Sequence, residues 1–501
     1  MHRCRLYCSC LTFYKTLCSF YLPIGYPMTE YLYLRLEREL RAQIGNKQLN
    51  PGCKLPSIRE TCQLYQISKS TVQTAYARLE ADGLIEVKFK SGYYVRQSSI
   101  NSFSDLKTPA LSQPDTQPRL ITSAQVIVDI MQRGAAFDLL NNSKLDPYND
   151  ALRRALSKAL RRQNSAEQLY YGQPQGDYSL RVQLAKCIRN GALDVSADDI
   201  TITHGCQHAL LLAILATTKT HDVVAIESPG FYGALQLLEV LDRKVLEIPC
   251  SADQGISIVA LKLAAQHWDI KALILTPSFA TPTGACIPEE NKDLLLNLAD
   301  QCNFCIIEDD IYAELHWQGQ RARTLYSYDK TGSVILCSSL SKSLSRDLRI
   351  GWIVSKKYQQ QILVLKVASA MASSVSQQQG VALFIQQGGL DRHLKLRRKQ
   401  LKLQHSQLQD LISRYLPMAL SASQPNGGMA LWLELPKKIN TLTLYHQARK
   451  QGISIAPGSL FSAQSNYQHY LRLSFSHPWT PEREGAFKVL AKLIYTQLKM
   501  Q

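Results

Sequence analysis

Apolar residues first recur at helical spacing at Tyr31, Leu34, Leu36, Leu40 and Ile44, and the run stops before the turn Asn50-Pro51-Gly52. A second helix is predicted from Ser57-Ile58-Arg59-Glu60, where Ser57 and Glu60 have capping-box spacing, to near Tyr65. A third opens at Ser68-Lys69-Ser70-Thr71, places Val72, Tyr76 and Leu79 on one face, and meets a stop at Gly83. The period then changes to that of two short strands, 84–88 and 93–95, bent around Ser91-Gly92. Three helices followed by a hairpin make a winged helix-turn-helix. The start of the third helix, with its small hydroxyls and a lysine, suits the major groove of DNA, and Lys88 and Lys90 fall on the wing.

Residues 98–118 are rich in Ser, Thr, Gln and Pro without apolar periodicity, and read as a flexible tether. Farther on, strand-like runs at 200–203, 223–227, 273–276, 304–308, 334–338 and 350–354 alternate with helical ones. That alternation predicts an α/β domain with a mostly parallel sheet covered by helices. A chain of 501 residues exceeds what one core supports. The expected division is an extension at 1–27, the winged helix at 28–97, a linker at 98–135 and an α/β domain at 136–495.

The 45% apolar content is ordinary, and no run approaches the ~20 apolar residues of a membrane span. The net charge of +17 is densest near the N-terminus but not confined there, so it supports an anionic partner only in part. Of thirteen cysteines, nine are scattered without metal-type spacing and read as thiols in a reducing cytoplasm; no metal is expected. Cys4, Cys8, Cys10 and Cys18 crowd the start. No second ligand pair follows them, Lys15 interrupts the apolar stretch, and no cleavage site is evident, which argues against a zinc knuckle or a signal peptide. A disordered extension, or a start assigned upstream of Met28, is the expectation.

The richest chemistry lies in Ser338-Ser339-Leu340-Ser341-Lys342-Ser343-Leu344-Ser345-Arg346-Asp347-Leu348-Arg349. Lys342 follows a strand, where an amine can hold an aldehyde cofactor as a Schiff base, and nearby hydroxyls with Arg349 can hold a phosphate; pyridoxal phosphate (PLP) is bound in this way. Other strands end in suitable groups. Gly205 leads His204-Gly205-Cys206-Gln207 into a helix, Phe231 offers a ring to stack, and Asp309 and Tyr312 place a carboxylate and a phenol within one turn. Singly, each has a plainer explanation: a strand–helix turn, core, a helix cap, a solvated lysine, and for Arg472 a surface cation. Their order, all at strand C-terminal ends, is what points to a ligand site.

Leu55-Pro56-Ser57-Ile58-Arg59-Glu60, Ser68-Lys69-Ser70-Thr71-Val72 and Leu79-Glu80-Ala81-Asp82-Gly83-Leu84-Ile85 resemble the GntR family of bacterial regulators. The resemblance implies a DNA-binding surface at Arg59, Ser68, Lys69, Ser70, Thr71, Gln73 and Gly92, with Gln73 where many members carry a basic residue. Residues 140 to 495 resemble the fold type I PLP-dependent aminotransferases, which have a seven-stranded, mostly parallel sheet and a small C-terminal α+β domain. That likeness implies Lys342 as the Schiff-base lysine, Asp309 as partner of the pyridinium, Tyr312 near the ring's phenolic oxygen and Phe231 as the stacking ring. It implies Gly205, Cys206, Ser339, Ser341 and Arg349 as phosphate ligands. Tyr171 would reach a partner subunit's phosphate, and Arg472 would grip a substrate α-carboxylate. The family's Asn-Pro-x-Gly is Thr281-Pro282-Thr283-Gly284 here, so a shorter hydroxyl replaces an amide.

Taken together the chain is similar to the MocR subfamily of transcriptional regulators. A cytoplasmic homodimer is implied, with PLP as cofactor, double-stranded operator DNA as partner and an amino acid or amine as effector. A working aminotransferase with an accessory DNA-binding domain is the alternative. A DNA-binding dimer using an empty fold as scaffold fits less well, because the cofactor ligands are intact.

Overall fold

The computed structural model describes residues 31–46, 48–82, 84–88, 91–96, 104–105, 138–140, 150–163, 169–189, 195–317, 319–418, 420–464 and 466–499. The expectations for residues 1–27, Gly83 and Lys90 lie outside these. The chain divides into two units, Met1–Gln97 and Ser98–Gln501.

In the first unit, α1 (Leu32–Gly45), α2 (Ile58–Tyr65) and α3 (Lys69–Ala81) precede an antiparallel hairpin of β1 (Ile85–Lys88) and β2 (Gly92–Val95). Local chemistry sets the helix starts. The Ser57 Oγ accepts from Glu60 N at 3.3 Å while Ser57 N donates to Glu60 Oε2 at 2.7 Å, a complete capping box. The Ser68 Oγ accepts from Thr71 N at 3.2 Å and so caps α3. Leu36, Leu40, Leu55, Val72, Tyr76, Leu79, Ile85 and Val95 close the core. The buried Tyr76 hydroxyl donates to Pro56 O at 2.9 Å and lies 2.8 Å from Thr61 Oγ1, so its polar end is satisfied.

The second unit contains two sheets. Among the described residues it starts with β3 (Ser104–Asp105), α4 (Asp150–Arg162) and α5 (Tyr178–Arg189). The larger sheet follows: β4 (Ile200–Thr203), α6 (Cys206–Thr217), β5 (Val223–Ser228), α7 (Tyr232–Val240), β6 (Lys244–Ser251), β7 (Gly255–Ile256), α8 (Ile258–His267), β8 (Ile270–Leu275), α9 (Glu289–Cys302), β9 (Cys305–Asp309), β10 (Val334–Ser339) and β11 (Gly351–Val354). The strand order is β4-β11-β10-β9-β8-β5-β6-β7, with parallel pairing from β10 through to β6 and β11 running against both its neighbours. Eight strands stand where seven were expected; the eighth is the two-residue β7, which hairpins back onto β6. The sequence pattern does not announce β6, because Glu247 and Pro249 interrupt it. Glu247 is nonetheless buried and accepts from Ser228 Oγ (3.0 Å), Ser462 Oγ (3.1 Å) and Ala463 N (3.1 Å), so the strand tolerates the charge.

After α10 (Gln359–Ala370), α11 (Val375–Gln386) and the long α12 (Gly389–Tyr415) comes the smaller sheet. It is formed by β12 (Ser421–Ala422), β13 (Ala430–Glu434), β14 (Ala456–Pro457) and β15 (Tyr470–Ser474), with α13 (Thr441–Lys450) and α14 (Pro481–Lys499). Its strand order is β14-β15-β13-β12-β3. Within the expected tether 98–118, Ser104 and Asp105 pair in parallel with Ser421 and Ala422, and its other residues lie outside those described. Among the described residues, no helix is long and apolar enough to cross a membrane.

Candidate functional site

Strand ends of the larger sheet converge on a cavity of about 540 Å³. Its lining includes Cys206, Phe231, Thr281, Asp309, Tyr312, Ser339, Ser341, Lys342, Arg349 and Arg472, which the sequence had marked at separate places.

On one side β4 passes through Gly205 (φ +86°) into α6. A Cβ at Gly205 would fall 2.7 Å from Arg349 Nη2, so only glycine lets the guanidinium lie against the backbone there. Arg349 donates to His204 O at 3.2 Å and to Ser341 Oγ at 3.4 Å. The first-turn amides of α6, with Ser339, Ser341 and Arg349, thus face one spot rich in donors. Residues 340–350 form an excursion between β10 and β11 that carries both Lys342 and Arg349. Leu340 N donates to Ile350 O at 3.0 Å and closes its base.

Asp309 ends β9 in full burial and accepts from the Cys206 thiol at 3.2 Å. Dehydration pushes its carboxyl up to about 6. Lys342 opens onto the cavity interior. Loss of water and then the cations Arg346 and Arg472 push its amine down to about 7, against the pull of Asp309. Burial also raises the Tyr312 phenol, which bonds to Thr281. The Thr281 Oγ1 accepts from Arg472 Nε at 3.1 Å.

One placement differs from expectation. Arg472 is the middle residue of β15 in the smaller sheet, not a residue at a strand end, whereas Arg349 precedes its strand as expected. Tyr171, which the resemblance assigns to a partner subunit's phosphate, does not line this cavity. It is 80% exposed and lines a separate groove with Tyr170, Gln173, Asp177 and Gln378. Sequence reasoning missed Gln207, Tyr232, Gly233, Gln236, Ile311, Arg346, Met429, Ser474 and Ser476, which complete the lining. Two of these carried a signal: Arg346 lies four residues past Lys342, and Ser474 shares the strand face of Arg472.

In the first unit Arg59, Ser68, Lys69, Ser70 and Gln73 are exposed, Thr71 is half-buried, and Gly92 (φ +111°) turns the wing. The Ser68 hydroxyl is already engaged with Thr71 N and lies within 2.9 Å of the Ser70 and Thr71 hydroxyls, so its first role is that of a cap.

A winged helix and an aminotransferase-type sheet with a lysine at its cleft define the class: a two-part chain of the MocR-type architecture. Residues 138–484 match the family Aminotransferase class I and II, and residues 32–95 match Bacterial regulatory proteins, gntR family. The chain belongs to the class I and II aminotransferase family and carries a gntR-family domain ahead of it. It is 34% identical to the uncharacterized HTH-type transcriptional regulator YjiR of Escherichia coli, across 93% of this chain and 99% of that one. YdcR of the same organism, also an uncharacterized HTH-type transcriptional regulator, is 33% identical over the same shares. Among solved structures, the kynurenine aminotransferase of Pyrococcus horikoshii, in complex with PMP, is 27% identical with a TM-score of 0.67, over 75% of this chain and 96% of that one. LysN, the α-aminoadipate aminotransferase of Thermus thermophilus, shares the fold at a TM-score of 0.69 and 24% identity, over 76% of this chain and 96% of that one.

Proposed function

We propose that this protein is a cytoplasmic, homodimeric transcriptional regulator that binds operator DNA through its winged helix. Its aminotransferase-like unit holds PLP and senses an amino acid or amine. The observation that carries this reading is the meeting of Lys342, Asp309 and Arg349 with a glycine-opened helix start in one cavity, in a chain whose other unit is of the gntR family.

The residues fit the cofactor. The space above Gly205 is a cradle that a Cβ would fill, beside the α6 amides, Ser339, Ser341 and Arg349, all suited to a phosphate. Phe231 would face the ring, with Tyr312 near its phenolic oxygen. When bound, PLP supplies an electrophilic carbon and an electron-withdrawing ring. Lys342, dehydrated and beside cations, keeps a large neutral fraction near pH 7, the form that attacks a carbonyl. Asp309, buried in the lining, would hold a proton on the pyridine nitrogen. Arg472 receives a carboxylate. The exposure of the run Leu169-Tyr170-Tyr171 supports contact with a second copy. Arg59, Ser68, Lys69, Ser70, Thr71, Gln73 and Gly92 form the DNA-facing surface, with α3 in the major groove.

A gel-shift titration on DNA upstream of the protein's own gene, with and without PLP and a panel of amino acids, tests this. Affinity that responds to PLP plus an amino acid is expected; affinity indifferent to both overturns the sensing role. Borohydride should fix PLP on the peptide containing Lys342, and label on another lysine overturns the site. The presence of Lys342, Asp309 and Arg472 in one cavity also favours a second reading, a turning-over aminotransferase. Multiple fast turnovers with a keto-acid acceptor, without sequence-specific DNA binding, would select it.

A further inference from the structure

Neither the cofactor site nor the carboxylate clamp uses Arg346. It lies in the 340–350 excursion and lines the same cavity as Arg472, Tyr312 and Tyr232. Four cationic side chains, Lys342, Arg346, Arg349 and Arg472, face that cavity against one acid, Asp309. Three have assignments. Arg349 is joined to Ser341 and His204 on the donor-rich side, Lys342 is the amine, and Arg472 is held by Thr281. Among the described residues Arg346 makes no ion pair or hydrogen bond.

Arg472, Tyr312 and Tyr232 are among its neighbours in the lining. The charged and titratable groups acting on it include Asp138, Tyr312, Arg472, Tyr232, Lys342 and His477, and dehydration pulls its guanidinium below the usual range. Asp138 attracts it but forms no ion pair with it. That carboxylate is buried, ion-paired with Arg483 and 3.5 Å from His477 Nε2. A half-buried guanidinium that lines a cavity and has no hydrogen-bond partner gains from an anion that completes it. The cavity therefore has room and positive charge for two anionic groups beyond a phosphate.

We propose that Arg346 receives a second carboxylate, so that the effector class is an acidic amino acid, with one carboxylate on Arg472 and the other on Arg346. This rests on the reading of Arg472 as a carboxylate clamp. Apart from Asp309, the lining offers no acid to repel the ligand.

Calorimetry on the full PLP-loaded chain tests it with L-glutamate and L-aspartate against their neutral isosteres, L-glutamine and L-asparagine. The acids should bind roughly tenfold tighter or more, as expected for a charge-assisted pair. Arg346→Gln should bring the acid-to-amide ratio near one and leave the amides unchanged, while Arg346→Lys should restore part of the preference. Arg472→Gln should weaken all four. A wild type without acid preference, or a preference that survives Arg346→Gln, overturns the proposal. Glutarate against butyrate gives a readout on cofactor-free protein. A glutarate preference lost in Arg346→Gln supports the second clamp even if no PLP is captured, an outcome that would overturn only the cofactor reading. Unchanged thermal melting of Arg346→Gln checks folding, and if that variant fails to fold, the wild-type ratio and Arg346→Lys decide.

Discussion

Arg472 Nε donates to Thr281 Oγ1 at 3.1 Å, joining the middle of β15 in the smaller sheet to the loop that follows β8 in the larger one. Because Thr281 also bonds to Tyr312, its hydroxyl is occupied on both sides. Where the aminotransferase pattern has an amide at this position, this chain has a group that positions an arginine.

Thr281→Val keeps the shape and removes the acceptor. A hydrogen bond to a charged group contributes about 1.5–3 kcal/mol, so amino-acid affinity should fall roughly tenfold or more. PLP should be retained. Calorimetry on both ligands checks the split, and equal losses for the two would show that Thr281 serves the cofactor.

The Lys342 amine sits at about 7, against 10.5 for an ordinary lysine. PLP capture by cofactor-free protein should therefore accelerate with a midpoint near pH 7, measured by stopped-flow absorbance. The stability effect has a fixed sign. The folded value lies below the unfolded one, so between those limits the unfolded chain binds the extra proton, and this group makes stability rise with pH from about 7 towards 10.5. Lys342→Met should stabilise the cofactor-free protein at pH 7, with the gain shrinking towards pH 10. Asp309 acts lower: its raised value makes stability fall as pH rises from 3.8 to about 6.

Gly205→Ala puts a methyl 2.7 Å from the Arg349 guanidinium at a backbone φ of +86°. PLP affinity should drop at least roughly tenfold, since one arginine–phosphate contact is displaced. Equilibrium dialysis measures it. Unchanged affinity would place the phosphate elsewhere.

On the DNA side, Lys69→Ala in the full chain should weaken operator binding by about 1–3 kcal/mol if it reaches a base, or lower the salt slope by about one if it reaches a phosphate. Ser68→Ala removes the α3 cap, and should cost about 1 kcal/mol of stability in addition to any DNA effect. Titrations at several salt concentrations separate these contributions.

The winged helix was readable because its signals are local: a capping box at Ser57 and Glu60, a cap at Ser68, and an apolar stripe through Val72, Tyr76 and Leu79. The parallel strands were readable as apolar runs, except β6, whose Glu247 is satisfied by Ser462 and Ala463 from far along the chain. Pairing of Ser104 with Ser421 is likewise a long-range event with no local mark. Within the cavity, residues matching a known order were found, and Arg346, although four residues past Lys342, matches none of those positions. Its lack of a hydrogen-bond partner shows only once its neighbours are in place.

The closed 340–350 excursion has a consequence for how the chain assembles. Its ends are tied by the Leu340–Ile350 bond and by neighbouring strands in antiparallel register, Ser339 opposite Gly351. Lys342, Arg346 and Arg349 therefore arrive on one short loop, whose closure needs little chain entropy, whereas Arg472 must be recruited from a distant part of the chain. In a refolding experiment, affinity for simple anions should appear with the β10–β11 ribbon, and discrimination among them only after the second sheet has docked.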